Sequence, residues 1–147
     1  MLNILKKLIS PPDTRGPLDR DRLARAVASL LYELMRMDSH VSEEDRRVAR
    51  LALVDLLGVD ETQARELLEH AGDARNRVTS YHDAVSVINR SFGMDRRCLL
   101  VEHLWRVAYA DQELHLHEDH LVRKLADLMH VSNTESMLAR KRARAKV

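Results

Sequence analysis

The chain has 147 residues, of which 45% are hydrophobic and 32% charged, and a formal net charge of +1 at pH 7. That length fits one domain with a core of its own, and the near-neutral balance excludes the strong overall field of a dedicated nucleic-acid binder. Four glycines, three prolines and 3% aromatic residues argue against strands and leave the core to Leu, Val, Ala and Met, the filling of an all-α bundle.

The stretch Met1 to Ile9 is apolar but interrupted by Lys6 and Lys7, and Pro11 and Pro12 follow at once. It lacks the small-residue cleavage pattern of a signal peptide, and no run approaches the roughly 18 apolar residues that span a bilayer. Residues 1–17 therefore read as a short apolar and basic segment with a proline linker, and residues 18–147 as one helical domain. So short a segment binds membranes only marginally, so residues 1–10 are expected to pack on the bundle or on a second copy in a homodimer. The single Cys98 cannot form an internal disulfide and reads as a small buried side chain, which together with the missing leader implies a cytoplasmic protein.

A first helix is predicted from about Asp19 to Met37, with Leu23, Val27, Leu30, Leu31 and Leu34 on one face. Ser42 reads as the N-cap of a second helix whose first turn is acidic. That helix carries Val48, Leu51, Ala52, Leu56 and Leu57, stops at Gly58, and is expected to be central because its apolar residues exceed one stripe. Asp60 to Gln63 resembles a capping box opening a third helix that ends near Gly72. Ser80 caps a fourth helix ending near Gly93, and Asp95 opens a fifth with Cys98, Val101, Leu104, Trp105 and Ala108 inward. A sixth runs from about His117 to His130. Ser132-Asn133-Thr134-Glu135 is the clearest capping box in the chain and opens a seventh, basic helix. The predicted total is seven helices.

Within this series one pattern repeats. Val27, Leu31, Leu34, Asp38, Val41 and Asp45 answer Leu100, Leu104, Val107, Asp111, Leu114 and Glu118 at a constant spacing of 73 positions. Each copy is a helix, a loop opened by an acid with one apolar residue at its centre, and a second helix. The two loops are expected to lie close together at one end of the bundle.

Over both loops, and most clearly from Ala108 to Leu128, the sequence resembles the TerB-like family named for tellurite resistance, in particular its small bacterial members. The likeness covers roughly residues 20–140. It implies an all-helical, non-enzymatic domain associated with stress or envelope responses, whose acidic loops of the form Ala-Asp-Gly-Glu-apolar-Asp-x-x-Glu have been proposed to hold a divalent metal. Carried over by position, the resemblance marks Asp38, Asp111, Glu113, Asp45 and Glu118. Ser39 and Gln112 stand where the pattern has glycine, His40 replaces an acid, and Ser42 and His115 replace the second aspartates. Histidine in these places favours zinc or a similar ion over an all-oxygen calcium site.

Asp38 and Asp111 close helices, where the helix dipole disfavours a negative charge by roughly 0.3–1 kcal/mol. A cation would remove that cost, and so would an Asx-turn to the following backbone. His115, His117 and His120, with Glu113 and Glu118, supply nitrogen and oxygen donors within one short stretch. His117-Glu118-Asp119-His120 is one residue short of the metalloprotease spacing, and Ala49 and Val122 stand where an EF-hand needs its closing glutamate. His70, His82, His103 and His130 read as solvated or half-buried, Trp105 and Tyr109 as core, and the basic tail as the solvated end of a helix. No catalytic residue is identified. The residues thus point to a binding domain with a divalent metal held by Asp38, Asp111 and Glu113, with His40, His115, His117 and Glu118 assisting. The competing readings are an interaction scaffold for a protein partner, in which the loops only cap helices, and a metal-dependent hydrolase, disfavoured because no general base is in frame. No nucleic-acid partner is expected.

Overall fold

A computed structural model describes residues 17–37, 40–77, 80–111 and 114–146. Among these it contains seven α-helices: α1 (Pro17–Met35), α2 (Glu43–Leu57), α3 (Glu61–Gly72), α4 (Tyr81–Ser91), α5 (Met94–Ala108), α6 (Leu116–Leu128) and α7 (Asn133–Ala145). A single 3-10 turn, Ala74–Asn76, follows α3. The expectations for the N-terminal segment, Asp38, Ser39, Gln112 and Glu113 lie outside the described residues. No described helix is long and apolar enough to cross a membrane.

The first helix ends two residues before the sequence-based boundary, and it is this helix, not α2, that lies at the centre. It packs against α2, α3, α4, α5 and α6, while among the described residues α2 packs chiefly on α1, α3 and α5. Leu23, Val27, Leu30, Leu31 and Leu34 of α1 are all fully buried, whereas Leu51 of α2 is 36% exposed. The second hub is α5, which packs on α1, α2, α6 and α7 and buries Leu100, Val101, Leu104 and Trp105. Cys98, expected to be buried, is only half-buried.

The helix starts follow local chemistry. Ser42 Oγ accepts the Asp45 N–H at 3.0 Å while Asp45 Oδ2 accepts the Ser42 N–H at 2.8 Å, a complete capping box. Asp60 and Gln63 form a second, at 2.8 and 2.9 Å. Ser132, the expected best example, forms half a box: its Oγ accepts the Glu135 N–H at 3.1 Å, and no described bond returns from the Glu135 side chain.

The internal repeat extends further than the sequence pattern suggested. The helix trio α1–α2–α3 is echoed by α5–α6–α7, with α4 between them; in each trio the first helix packs on the other two, and these pack on each other. The spacing of 73 holds through the second helices and then drops to 72. Gly58, with φ 69°, is answered by His130 at φ 61°, the caps Asp60 and Ser132 correspond, and buried Ala64 and Ala71 match buried Ser136 and Ala143.

Candidate functional site

The two loops leave α1 and α5 from equivalent positions, and each is pinned by its central apolar residue. Val41 and Leu114 are both partly buried against the core, as their matched places in the repeat require. Beyond that anchor the loops differ. In the first, His40 is exposed and Ser42 caps α2. Asp45, the acid that begins α2, is 4% exposed and commits its carboxylate to the Ser42 N–H. That removes Asp45 from the candidate ligands, because a carboxylate holding a helix start has a structural partner already.

In the second loop His115 stands at the position of Ser42 and starts α6 without a side-chain cap bond. Its Nε2 lies 3.8 Å from Asp111 Oδ2, with side-chain exposures of 46% and 30%. One nitrogen and one oxygen donor are thus brought together across one turn. Ligand atoms on a tetrahedral zinc with bonds of 2.0–2.1 Å stand about 3.4 Å apart, a few tenths of an ångström less than this pair. His117 is exposed, and Glu118, the equivalent of Asp45, is 3% exposed. Among the described residues no group of three or more His, Cys, Asp or Glu side chains is arranged to hold a metal ion. The pairing of an imidazole with a carboxylate fits zinc or a similar borderline ion better than calcium.

The family model described as tellurite resistance protein TerB matches residues 24–141, which span both helix trios and both loops. The chain belongs to the TerB family. No curated protein and no solved structure matches it. TerB domains are in general non-enzymatic helical domains.

Other polar groups of this TerB bundle are tied into it by pairs the sequence reading missed. Glu33, 5% exposed, accepts two hydrogen bonds from Arg77 at 2.6 and 3.1 Å, fixing the segment after α3 to α1. Glu102, also 5% exposed, accepts from Arg142 at 2.6 Å and Lys146 at 3.1 Å. Burial would raise the Glu102 pKa, but the hydrogen bonds and charges of Arg142 and Lys146 together outweigh it and hold the carboxyl below its ordinary range. The basic tail is therefore not simply a solvated helix end. Arg140 donates to the Tyr109 hydroxyl at 2.7 Å and stacks over Trp105 at 5.4 Å, and Arg144 covers Tyr109 at 5.8 Å.

His103 is a second correction. It is 2% exposed, not half-solvated, and its Nε2 lies 2.7 Å from Asp55 Oδ2. Burial pushes its pKa below the usual imidazole value although the hydrogen bond and charge of Asp55 pull the other way. The apolar run of α5 contains a histidine that periodicity places inward. Its carboxylate partner, 48 residues earlier, carries no local signal.

Proposed function

We propose that this TerB-family chain is a non-enzymatic, cytoplasmic binding domain that takes one divalent metal of the zinc type at its second loop, in a stress or envelope-associated response. The observation that carries the reading is the approach of Asp111 Oδ2 and His115 Nε2 to 3.8 Å at the position where the first loop has a serine cap. Glu113 and Asp38 are the further acids of the two loops, with His40, His117 and Glu118 as auxiliaries. The half-exposed state of the pair leaves an ion free to enter and leave, as a sensor or carrier requires.

The scaffold reading also has an observation of its own. Leu116, directly after the loop, is 67% exposed, an apolar side chain offered to a partner beside the polar pair. Calorimetry on metal-stripped protein separates the two. Metal binding predicts saturable uptake of zinc, tighter than calcium, and a stability gain of about 2.7 kcal/mol at a free concentration a hundredfold above Kd. Asp111→Ala with His115→Ala abolishes that gain and leaves the apo fold intact. If zinc, nickel, magnesium and calcium all fail to bind, or the double variant binds as well as the parent, the loops are caps and the scaffold reading stands.

A further inference from the structure

The second trio closes its own face with cations. Trp105 is fully buried, and Arg140 and Arg123 lie over its ring at 5.4 and 6.0 Å, while Arg123 is neutralised by Asp119 at 2.7 Å. In the first trio the corresponding positions are altered in a consistent direction. Tyr32 replaces Trp105, Leu68 and Gly72 replace Arg140 and Arg144, and Arg46 replaces Asp119. Arg140 and Arg144 thus have no cationic counterpart in the first trio, where Arg50 answers Arg123 and Tyr32 is instead covered on one side by Arg77 at 5.4 Å; and an acid has become a base.

The result is a cleft of about 650 Å³ between α1, α2 and α3, within the size range of small-molecule sites. Its floor is apolar, formed by Tyr32, Met35 and Leu68. Gly72 is required there: a Cβ at this position would lie 2.8 Å from the Tyr32 ring. The walls carry Arg46 from α2 and Arg65 from α3. Both are exposed, and neither makes a hydrogen bond or ion pair with a described residue, and the Tyr32 hydroxyl likewise has no hydrogen bond there. Arg50, between them, is already held by Glu61 at 2.9 Å and Glu43 at 3.2 Å. Against the two uncommitted guanidinium groups stands one uncommitted carboxylate of the lining, Glu69.

We infer that this cleft is a binding site for a small organic oxyanion, a phosphate monoester or carboxylate on a planar or apolar body. Arg46 and Arg65 engage the oxyanion from opposite walls, since the guanidinium fork matches both groups. The body lies on the apolar floor of Tyr32, Met35 and Leu68. This site is independent of the metal loop and uses none of its residues.

The test is calorimetry on metal-stripped protein, so that the loop plays no part, with phenyl phosphate, benzoate, inorganic phosphate and benzyl alcohol as probes. One-to-one binding of phenyl phosphate or benzoate is expected, about tenfold or more tighter than inorganic phosphate because a ring buried on Tyr32 and Leu68 adds apolar contact. The neutral alcohol is expected not to saturate. Whichever of the two aromatic anions binds more tightly assigns the headgroup. Arg46→Ala and Arg65→Ala each weaken binding about fivefold or more, since a hydrogen bond to a charged group is lost, and Arg90→Ala, an exposed arginine outside the cleft, leaves it unchanged. Amide chemical-shift changes confined to the α3 end around Leu68 and Gly72 locate the site without relying on affinity. Absence of saturable binding by both aromatic anions overturns the inference. So does parental affinity in an Arg46→Ala, Arg65→Ala double variant whose circular dichroism shows it folded.

Discussion

Acidification acts on this bundle through His103. The imidazole is 2% exposed between α2 and α5, and burial holds its pKa below the ordinary value of 6.5 in spite of Asp55. In the unfolded chain the same ring titrates near 6.5. Between the two values the unfolded state carries a proton that the folded state lacks, so stability rises with pH across that window. The full benefit is present above about pH 6.5 and is lost as pH falls toward the folded pKa, at up to about 1.4 kcal/mol per pH unit. For a chain of this size that corresponds to a fall in Tm of about 3–6 °C per unit. Thermal or urea unfolding at pH 7.5, 6.5, 6.0 and 5.5 reads the slope directly. His103→Gln keeps a polar side chain facing Asp55 and removes the titration; it is expected to lower stability at pH 7.5 and to flatten the profile below 6.5. An unchanged slope in that variant, or an NMR titration of His103 with a midpoint at or above 6.5, would refute the reasoning.

Three further outcomes follow from particular contacts. Glu102→Ala leaves Arg142 and Lys146 without their buried acceptor; because those two cations are 49% and 54% exposed, the cost is set below that of a fully buried pair, at about 2 kcal/mol, readable as a lower urea midpoint. The depressed Glu102 pKa adds stability above the ordinary value of 4.5 that disappears as pH falls through the folded one, a pH dependence the alanine variant lacks. His130→Gly relieves a side chain held at φ 61° and is expected to raise stability by about 0.5–1 kcal/mol, a gain that a fall in Tm would contradict. Ser42→Ala and Ser132→Ala each remove one side-chain cap bond and are each expected to cost about 1 kcal/mol, whereas Asp45→Ala removes the reciprocal bond to the Ser42 backbone N–H; an Asp45→Ala variant as stable as the parent in denaturant titrations would show that this bond contributes nothing.

The parts of the fold that could be read from sequence are those in which one residue type has one role at one period. Val27, Leu31 and Leu34, and their counterparts Leu100, Leu104 and Val107, are at most 1% exposed, because an apolar stripe repeated in two helices has to face a shared core. The third helices escaped the same comparison because the second copy is one residue shorter before its third helix, so that the caps Asp60 and Ser132 stand 72 positions apart, and a fixed spacing of 73 then pairs buried residues with exposed ones. Caps were legible as positions but not as bonds. The sequence Ser132-Asn133-Thr134-Glu135 has the better motif, yet Ser42 with the shorter Asp45 closes its box and the glutamate does not. Pairs distant in the chain carried no signal. Neither Asp55 with His103 nor Glu102 with Arg142 has a local pattern, and the basic tail read as solvated although four of its five cations, all but Lys141, hold Glu102 or cover aromatic rings. At the loops, the chemistry of Asp111 and His115 was visible and their approach was not.

Duplication explains why such differences concentrate where they do. Two trios built on equivalent backbones share the demands of packing, so apolar positions correspond, while any polar position needed only once is free to diverge. Ser42 and His115 occupy one such place: the serine secures a helix start, and the histidine, no longer a cap, meets Asp111. Asp45 and Glu118 are both buried, and the aspartate closes a box with Ser42 where the glutamate follows His115, which provides no side-chain cap. Arg46 and Asp119, and Gly72 and Arg144, are another pair of such places, and there the roles reverse. The second trio seals its aromatic face with arginines of its third helix, while the first covers Tyr32 only from the segment after α3, through Arg77, and keeps Arg46 and Arg65 at the rim of the cleft. If packing alone governed these positions, exchanging them would be neutral for binding and costly only for stability. A chain carrying Arg46→Asp, which gives α2 the second trio's acid at that place and leaves Gly72 against the Tyr32 ring, is expected to fold and to lose the anion site while the Asp111–His115 loop keeps its metal response. Loss of both responses together would mean that the two halves are coupled, and that the divergence read here as a division of labour is one site seen from two sides.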